Sequence, residues 1–171
     1  MASTAKASVE ADYLEFAAAR SSALFRIACL LTGDWHLAED LVQETLGKVY
    51  VSWRRVSAAD SPSAYADAIL VRTFLSYRRK RSSSEMPTGS LPDRGYAADD
   101  PGLRLTLLDG LARLPERDRA VLILRYWEDR SVEEAAEALR MSPGTVRVRS
   151  LRALRRLRRL LGDQLPQLAE C

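Results

Sequence analysis

Apolar residues recur every three or four positions over most of the chain, a spacing typical of amphipathic helices. The pattern runs unbroken over residues 9–31 and is interrupted at 33–34 by glycine and aspartate. A second helix is expected from about 35 to 53. A third is expected over 62–81, because Ser61 can serve as its N-cap and a proline occupies its first position. The first part of the chain is therefore predicted to be a helical bundle.

A stretch without helical periodicity follows this bundle. Residues 82–102 are dense in Pro, Gly, Ser and Asp, which is typical of a linker. Helical spacing resumes over 103–114 and again over 120–127, and no strand pattern is present. The sequence therefore predicts an all-α fold of two small helical domains, residues 9–81 and 103–162, joined by a flexible linker.

The end of the chain carries two helix starts in close succession. Ser131 and Glu134 form a capping-box pattern that opens a short helix. A last helix is expected over 143–161, with serine at its N-cap and proline at its first position. Only about three residues, 140–142, join the two helices, so they must cross steeply. This arrangement is typical of a DNA-binding helix-turn-helix.

The last helix has seven arginines and no acidic residue between positions 143 and 161. Its inward face is predicted to hold Val146, Ser150, Ala153, Leu154 and Leu157. Its opposite face, expected to meet DNA, holds Arg147, Val148, Leu151, Arg152 and Arg155. Arginine can donate two hydrogen bonds to guanine in the major groove, and the early positions of Arg147 and Arg152 favour base contacts. The remaining arginines, Arg149, Arg155, Arg156, Arg158 and Arg159, are assigned to phosphates; the alternative is a merely solvated arginine face.

Charge is distributed unevenly along the chain, although its net value is only +3. Residues 62–81 carry five basic and one acidic side chain, and residues 103–171 carry fourteen and ten. The segment between them, 82–102, has one basic and four acidic side chains. Two basic zones on either side of an acidic segment indicate two contacts with a polyanion.

The first basic zone combines cations with aromatic side chains. Arg72 and residues 78–81 are basic, and Phe74 and Tyr77 lie among them. Basic groups can hold a nucleic-acid backbone while aromatic rings stack on unpaired bases, which suits a strand that is being opened. Alternatively the aromatic rings belong to the core and the basic end is only solvated.

A third polar cluster lies in the second predicted helix. Glu39, Asp40, Gln43 and Glu44 occupy its solvent side, where they form either a protein docking surface or a solvated face.

Several function classes lack support in the sequence. The first ten residues have no apolar core of a signal peptide and no apolar run is long enough to span a membrane, so a cytoplasmic location is expected. The sequence has one histidine and two distant cysteines, so we expect no metal site, no cofactor and no catalytic group. A helix-turn-helix regulator that binds DNA alone, with the N-terminal bundle as a sensor, remains an alternative.

Taken in order, these segments resemble the extracytoplasmic-function sigma factors, and most of all their SigE-like actinobacterial branch. The resemblance is carried by AEDLVQET, by LVRTFLSYRRKR, by LARLPERDRAVLILRYWEDRSVEEAAEAL and by SPGTVRVRSLRALRRLR. It covers roughly residues 13–161.

The resemblance implies a factor that directs core RNA polymerase to promoters and helps melt the minus-10 element. Residues 9–81 would be sigma region 2, with Asp40, Gln43 and Glu44 docking on the β′ clamp helices. The residues implied to contact the minus-10 element are Arg72, Thr73, Tyr77, Arg78, Arg79 and Lys80. Residues 103–162 would be sigma region 4, which binds the minus-35 element and the β-flap, and 82–102 would be the acidic linker between them. An anti-sigma factor is a further partner that the family admits.

The chain departs from the family pattern at several positions. Arg72 stands where asparagine is common, and Tyr77 where tryptophan is usual. Arg140 replaces the usual glycine of the turn, so a left-handed arginine is expected there at some cost in strain. Val148 and Ser150 look exchanged relative to the usual order of a polar DNA-facing residue and an apolar core residue. These departures affect the promoter sequence that is recognised rather than the class of protein.

Overall fold

The protein is described by a computed structural model that covers residues 2–82 and 101–162, with side chains for 7–82 and 106–162. The predicted linker, 82–102, lies almost entirely outside the described residues. Among the described residues the elements are helices and turns, with no strand, as the sequence predicts. The helices are α1 (Ala2–Thr32), α2 (Trp35–Val51), α3 (Trp53–Ser57), α4 (Pro62–Ser82), α5 (Pro101–Ala112), α6 (Glu116–Leu122), α7 (Val132–Leu139) and α8 (Pro143–Leu161). A π-helical turn, Ile123–Trp127, continues α6.

Helices α7 and α8 begin at the serine N-caps that the sequence predicts. The Ser131 hydroxyl accepts a hydrogen bond from the Glu134 amide at 3.0 Å, and the Glu134 carboxylate accepts one from the Ser131 amide at 2.7 Å. This capping box satisfies two backbone donors that the start of α7 leaves without helical partners. Ser142 likewise accepts from the Thr145 amide at 3.1 Å at the start of α8.

The N-terminal half, residues 2–82, packs α1, α2 and α4 around a core of aliphatic side chains. Aromatic rings close one end of the bundle, where Tyr13 meets Trp53 edge-on at 5.7 Å and Phe16 lies 5.1 Å from the same ring. The Tyr13 hydroxyl donates to the Leu46 carbonyl at 3.0 Å, which ties α1 to α2. Helix α2 therefore keeps a fixed orientation, with its polar side toward solvent.

The C-terminal half, residues 101–162, contains the predicted helix-turn-helix. Helices α7 and α8 pack on each other, and α8 also packs on α5 and α6. The turn between α7 and α8 contains Arg140 at φ 52° and ψ 51°, the left-handed conformation expected for this position. Four of the five residues predicted for the inward face of α8 are buried, and Leu154 is half-buried.

The two halves share a hydrophobic cluster, and a second cluster of buried residues lies within the C-terminal half. Buried residues of α1 and α4, such as Leu24 and Phe74, lie in the same continuous cluster as Val121, Leu139 and Val146 of the C-terminal half. Helix α4 packs on α6 and α7, and α1 packs on α5 and α6. The two halves are thus in direct apolar contact, which the prediction of two domains on a flexible linker does not include.

No described helix is both long and apolar enough to cross a lipid bilayer.

Candidate nucleic-acid interface

Helix α8 presents the basic surface that the sequence predicts for DNA. The predicted DNA-facing residues Arg147, Val148, Leu151, Arg152 and Arg155 are all exposed. Val148 and Leu151 keep 55% and 52% of their surface accessible, which is unusual for aliphatic side chains unless a partner covers them. The N-terminus of α8 adds the partial positive charge of the helix dipole at the same end. This surface is shaped to enter a major groove.

One arginine of α8 has an internal partner. Arg149 donates to Asp118 of α6 at 2.5 Å, and its side chain is only one-third exposed. Since the sequence interpretation assigned Arg149 to DNA phosphates, this ion pair is a different role: it fixes α8 on α6. Arg147 forms a 3.1 Å ion pair with Glu133 of α7, but both side chains are about two-thirds exposed, so solvent and salt screen it.

The basic end of α4 lies against the C-terminal half. The Arg72 guanidinium donates through Nε to the carbonyl of Ala138 at 2.8 Å, and a terminal nitrogen of the same group lies 3.5 Å from the carbonyl of Glu137. These carbonyls belong to the last turn of α7, where a cation is favoured by the unpaired carbonyls and the helix dipole. Burial, and then the nearby charge of Arg140, lower the pKa of Arg72.

Arg78 also reaches across, to Glu116 at the start of α6. Its Nε and one terminal nitrogen lie 3.2 Å and 3.0 Å from the same carboxylate oxygen. Although burial opposes the charge of Glu116, hydrogen bonds from its backbone and from Arg78 lower its pKa below the usual range. Tyr77 is half-buried and accepts a hydrogen bond from Arg81 at 3.1 Å, whereas Arg79 and Lys80 are exposed.

Thr73, which the resemblance implies to contact DNA, is buried beside Lys48 of α2. It is 4% exposed, and its hydroxyl accepts a hydrogen bond from Lys48 Nζ at 3.0 Å. The same ammonium group lies 2.7 Å from the Glu44 carboxylate. In this conformation Thr73 positions Lys48 beside α4 and has no surface to offer to DNA.

The acidic side of α2 is exposed at Asp40, Gln43 and Glu44. Buried residues on the other side of the helix, including Leu41, Val42 and Thr45, fix this orientation. The three polar side chains therefore lie together on the solvent-facing side of α2.

A cleft of about 1110 Å³ runs between α4 and the C-terminal half. Its lining has one acidic side chain, Glu116, and seven basic ones: Lys48, Arg72, Arg78, Arg79, Arg117, Arg140 and Arg149. A cleft with this charge ratio attracts polyanions. The sequence predicted the basic zone of α4. It did not indicate that Lys48, Arg117 and Arg140 face the same cleft, because only the packing of the helices brings them together.

Within the described residues, no group of acidic, histidine and cysteine side chains has the geometry to hold a metal ion. The Cys29 side chain, in α1, is half-buried.

Comparison with known proteins agrees with this architecture. Residues 17–84 match the family model for sigma-70 region 2, and residues 104–157 match that for sigma-70 region 4. The chain is 36% identical over 149 residues to the RNA polymerase sigma-E factor of Streptomyces coelicolor, covering 86% of this chain and 84% of the relative. It is 33% identical over 153 residues to the ECF RNA polymerase sigma factor SigL of Mycobacterium tuberculosis, covering 84% and 85%.

Solved structures give the same result. The sigma factor RpoE of Bartonella quintana, determined in complex with the anti-sigma factor NepR, aligns with a TM-score of 0.74 at 26% identity, covering 89% of this chain and 98% of that one. CnrH, determined with the cytosolic domain of CnrY, shares the fold with a TM-score of 0.61 at 22% identity, covering 89% and 88%. With two sigma-70 regions in order and this similarity to SigE, the chain belongs to the extracytoplasmic-function sigma factors, whose function is promoter recognition and transcription initiation by RNA polymerase.

Proposed function

We propose that this sigma factor divides its work between two units, residues 9–81 as region 2 and residues 103–162 as region 4, with 82–102 as the linker. Region 2 docks on core polymerase and recognises and melts the minus-10 element. Region 4 reads the minus-35 element and contacts the β-flap. The observation that carries the proposal is the exposed, acid-free arginine face of α8 beside a buried apolar face.

For the minus-35 element, the proposed contacts are Arg147, Val148, Leu151, Arg152 and Arg155. Arg147 and Arg152 are assigned to base edges, because they lie in the first half of α8 and are exposed. Val148 and Leu151 are suited to thymine methyl groups, which apolar side chains can contact in the major groove. The arginines nearer the C-terminus of α8 are assigned to phosphates.

For the minus-10 element, the proposed contacts are Arg72, Tyr77, Arg78, Arg79 and Lys80. Arg79 and Lys80 are exposed and can hold a phosphate backbone, while the Tyr77 ring can stack on an unpaired base. Thr73 is proposed to act indirectly, by positioning Lys48.

For polymerase, the proposed docking patch is Asp40, Gln43 and Glu44 on α2, which would meet the β′ clamp helices. The support is the exposure of the three side chains on a helix whose other side is buried. We also propose that the protein acts in the cytoplasm, where polymerase and promoters are. An anti-sigma factor is proposed as a regulatory partner, since the similar RpoE of Bartonella quintana is bound to one.

The test is run-off transcription by core polymerase on a linear promoter template, with and without this protein. We expect specific transcripts only with the protein. The double variant Arg79→Ala, Lys80→Ala should reduce them strongly, whereas its matched control Arg54→Ala, Arg55→Ala removes two exposed cations from α3 of the same half and should not. An equal loss of transcripts in both double variants would show that transcription depends on the total positive charge of this half and not on the two cations at the end of α4. Sequence-specific binding of promoter DNA by the protein alone, without any effect on polymerase, would indicate an ordinary regulator.

A further inference from the structure

The cleft between α4 and the C-terminal half holds more positive charge than its ion pairs balance. Its acidic side chain, Glu116, is already bound by Arg78 at 3.0 Å. Two further cations of the lining, Lys48 and Arg149, are paired with acids outside it. In the part of the chain that the structure describes, no acidic side chain lies within ion-pair distance of the remaining four, which are Arg72, Arg79, Arg117 and Arg140. A cleft with four unbalanced cations attracts anions.

Two of these cations, Arg72 and Arg140, lie close together although they come from different halves. Arg72 is on α4, and its Nε donates to the carbonyl of Ala138, two residues before Arg140. Burial, and then the charge of Arg140, lower the pKa of Arg72. Tyr65 and Glu137 favour the charged form of Arg72, but less strongly. An anion bound between the two guanidinium groups would replace their repulsion by two attractions.

The backbone at Arg140 is strained for a residue with a side chain. It adopts φ 52° and ψ 51°, and its amide donates to the Glu137 carbonyl at 3.2 Å. Glycine would adopt this conformation without strain and would also remove the repulsion of Arg72. Strained residues persist where the surrounding structure holds them, and they cluster at ligand sites. The chain therefore carries an arginine at a position where it is doubly unfavourable unless an anion is bound.

An apolar wall adjoins the two cations. Tyr65 and Ile69 precede Arg72 on α4 by seven and three positions, so all three lie on one side of the helix. Both are half-buried and line the cleft, and Leu139 of α7 lines it as well. Nucleic-acid bases stack on aromatic rings irrespective of their sequence. This wall beside paired guanidinium groups suits a ligand that has a planar ring and a phosphate.

The other two unbalanced cations lie farther along the cleft. Arg79 is seven positions beyond Arg72 on α4, a helical rise of about 10 Å. Arg117 is in the first turn of α6, and both side chains are exposed. The cleft volume of about 1110 Å³ slightly exceeds the roughly 300–1,000 Å³ of small-ligand pockets. The cleft therefore has room for a base and a chain of phosphates, and not only for a single phosphate ion.

We propose that this cleft is a binding site for a nucleoside polyphosphate. Arg72 and Arg140 hold one phosphate between them, since a guanidinium group can donate two hydrogen bonds to phosphate oxygens. Further phosphates extend toward Arg79 and Arg117, and the base lies against Tyr65. Inorganic polyphosphate has the same phosphate chemistry without the base, and the experiment separates the two. The proposal concerns the protein without DNA, so it does not depend on the DNA contacts assigned to α4.

Binding should stabilise the protein, because the site takes Arg72 from one half and Arg140 from the other. A ligand that binds the folded chain and not the unfolded one raises Tm as its concentration rises. At about 100 times its dissociation constant, the nucleotide should raise Tm by about 5 °C or more.

The test is isothermal titration calorimetry on the full chain, without DNA, polymerase or divalent cations. The probes are GTP, ATP, tripolyphosphate and inorganic phosphate, at equal ionic strength. We expect GTP or ATP to bind about tenfold or more tightly than inorganic phosphate, because they add phosphates and a stacked base. The nucleotide should also bind more tightly than tripolyphosphate, and thermal unfolding should rank the probes in the same order.

The test variant is Arg140→Ala. The matched control is Arg54→Ala, which removes an exposed cation of α3 that does not line the cleft. Arg140→Ala should bind the nucleotide about tenfold or more weakly than the wild type, whereas Arg54→Ala should bind it equally well. Arg140→Gly should lose as much affinity as Arg140→Ala, although glycine relieves the backbone strain. Equal loss in these two variants separates binding from the stability of the fold.

An unchanged affinity of Arg140→Ala for GTP and ATP would overturn the site, and so would the absence of binding by every probe. An equal loss in Arg140→Ala and Arg54→Ala would also overturn it, since binding would then depend only on the total charge of the chain. If tripolyphosphate binds as tightly as the nucleotides and Arg140→Ala weakens both, the phosphate site is confirmed and the position of the base is overturned.

Discussion

Substitution of Arg140 by glycine should stabilise the protein. Arg140 adopts φ 52° and ψ 51° in the turn between α7 and α8, where a side chain with a Cβ atom is strained. That strain is worth about 1–2 kcal/mol, since the Cβ atom approaches the following carbonyl oxygen. Glycine removes the strain but has more freedom to lose on folding, about 0.5–1 kcal/mol relative to alanine. The expected net gain is therefore about 1 kcal/mol in the free energy of unfolding.

The gain is measured by thermal unfolding followed by circular dichroism or calorimetry. For a chain of this size, about 1 kcal/mol corresponds to a rise in Tm of roughly 2–4 °C. Arg140→Ala is the matched control, because it removes the same charge from beside Arg72 but keeps the Cβ atom. It should gain nothing from relief of strain.

The difference in Tm between the two variants shows whether backbone strain at Arg140 is the cause of the gain. If Arg140→Gly and Arg140→Ala unfold within about 1 °C of each other, the left-handed strain is not the cause. A common rise in both would instead point to repulsion between Arg140 and Arg72, which contributes to the lowered pKa of Arg72.

Three further predictions follow from the two surfaces and the capping box. Asp40→Arg with Glu44→Arg should weaken co-purification with core polymerase without unfolding the protein. Loss of the ion pair between Glu44 and Lys48 should lower Tm only slightly. Unchanged co-purification would remove α2 as the docking site. Arg147→Ala should reduce discrimination between two promoters that differ only in the minus-35 element, by about 1–3 kcal/mol. Arg159→Ala should instead weaken transcription from both promoters equally and lower the salt dependence of DNA binding. If Arg147→Ala also weakens transcription from both promoters equally, Arg147 is a phosphate contact. Hydrogen bonds from the N-cap serine lower the pKa of Glu134, so the stability that its carboxylate contributes is complete above the ordinary pKa of 4.5 and is lost as pH falls through the pKa in the folded protein. The free energy of unfolding of Glu134→Gln should therefore depend less on pH between about 5 and 3 than that of the wild type. An unchanged dependence on pH would exclude the capping box as its source.

Local structure was largely predictable from the sequence, because its causes lie within a few residues. The capping box of Ser131 and Glu134, the left-handed Arg140 and the buried side of α8 all depend on neighbours one or two turns away. The exchanged order of an apolar and a polar residue at 148 and 150 has the expected result in the structure. Val148 is exposed, whereas Ser150 is buried and its hydroxyl lacks a hydrogen-bond partner. The π-helical turn was not predicted, since its apolar spacing fits an ordinary helix equally well.

The contact between the halves could not be predicted in the same way. Arg72 and its acceptor Ala138 are 66 positions apart, and Arg130 and Asp67 are 63 apart. Nothing in the local pattern of either residue indicates the other. The partners of Thr73 and Arg149 could not be predicted for the same reason, because Lys48 and Asp118 lie on other helices.

The contact between the halves also brings cations together: Arg140 lies near Arg72, and Arg78 lies near Arg119. Burial, and then the charge of Arg78, lower the pKa of Arg119 to about 10. These repulsions oppose the contact, so the shared apolar cluster and the hydrogen bonds from Arg20 and Arg130 to buried Asp67 must outweigh them.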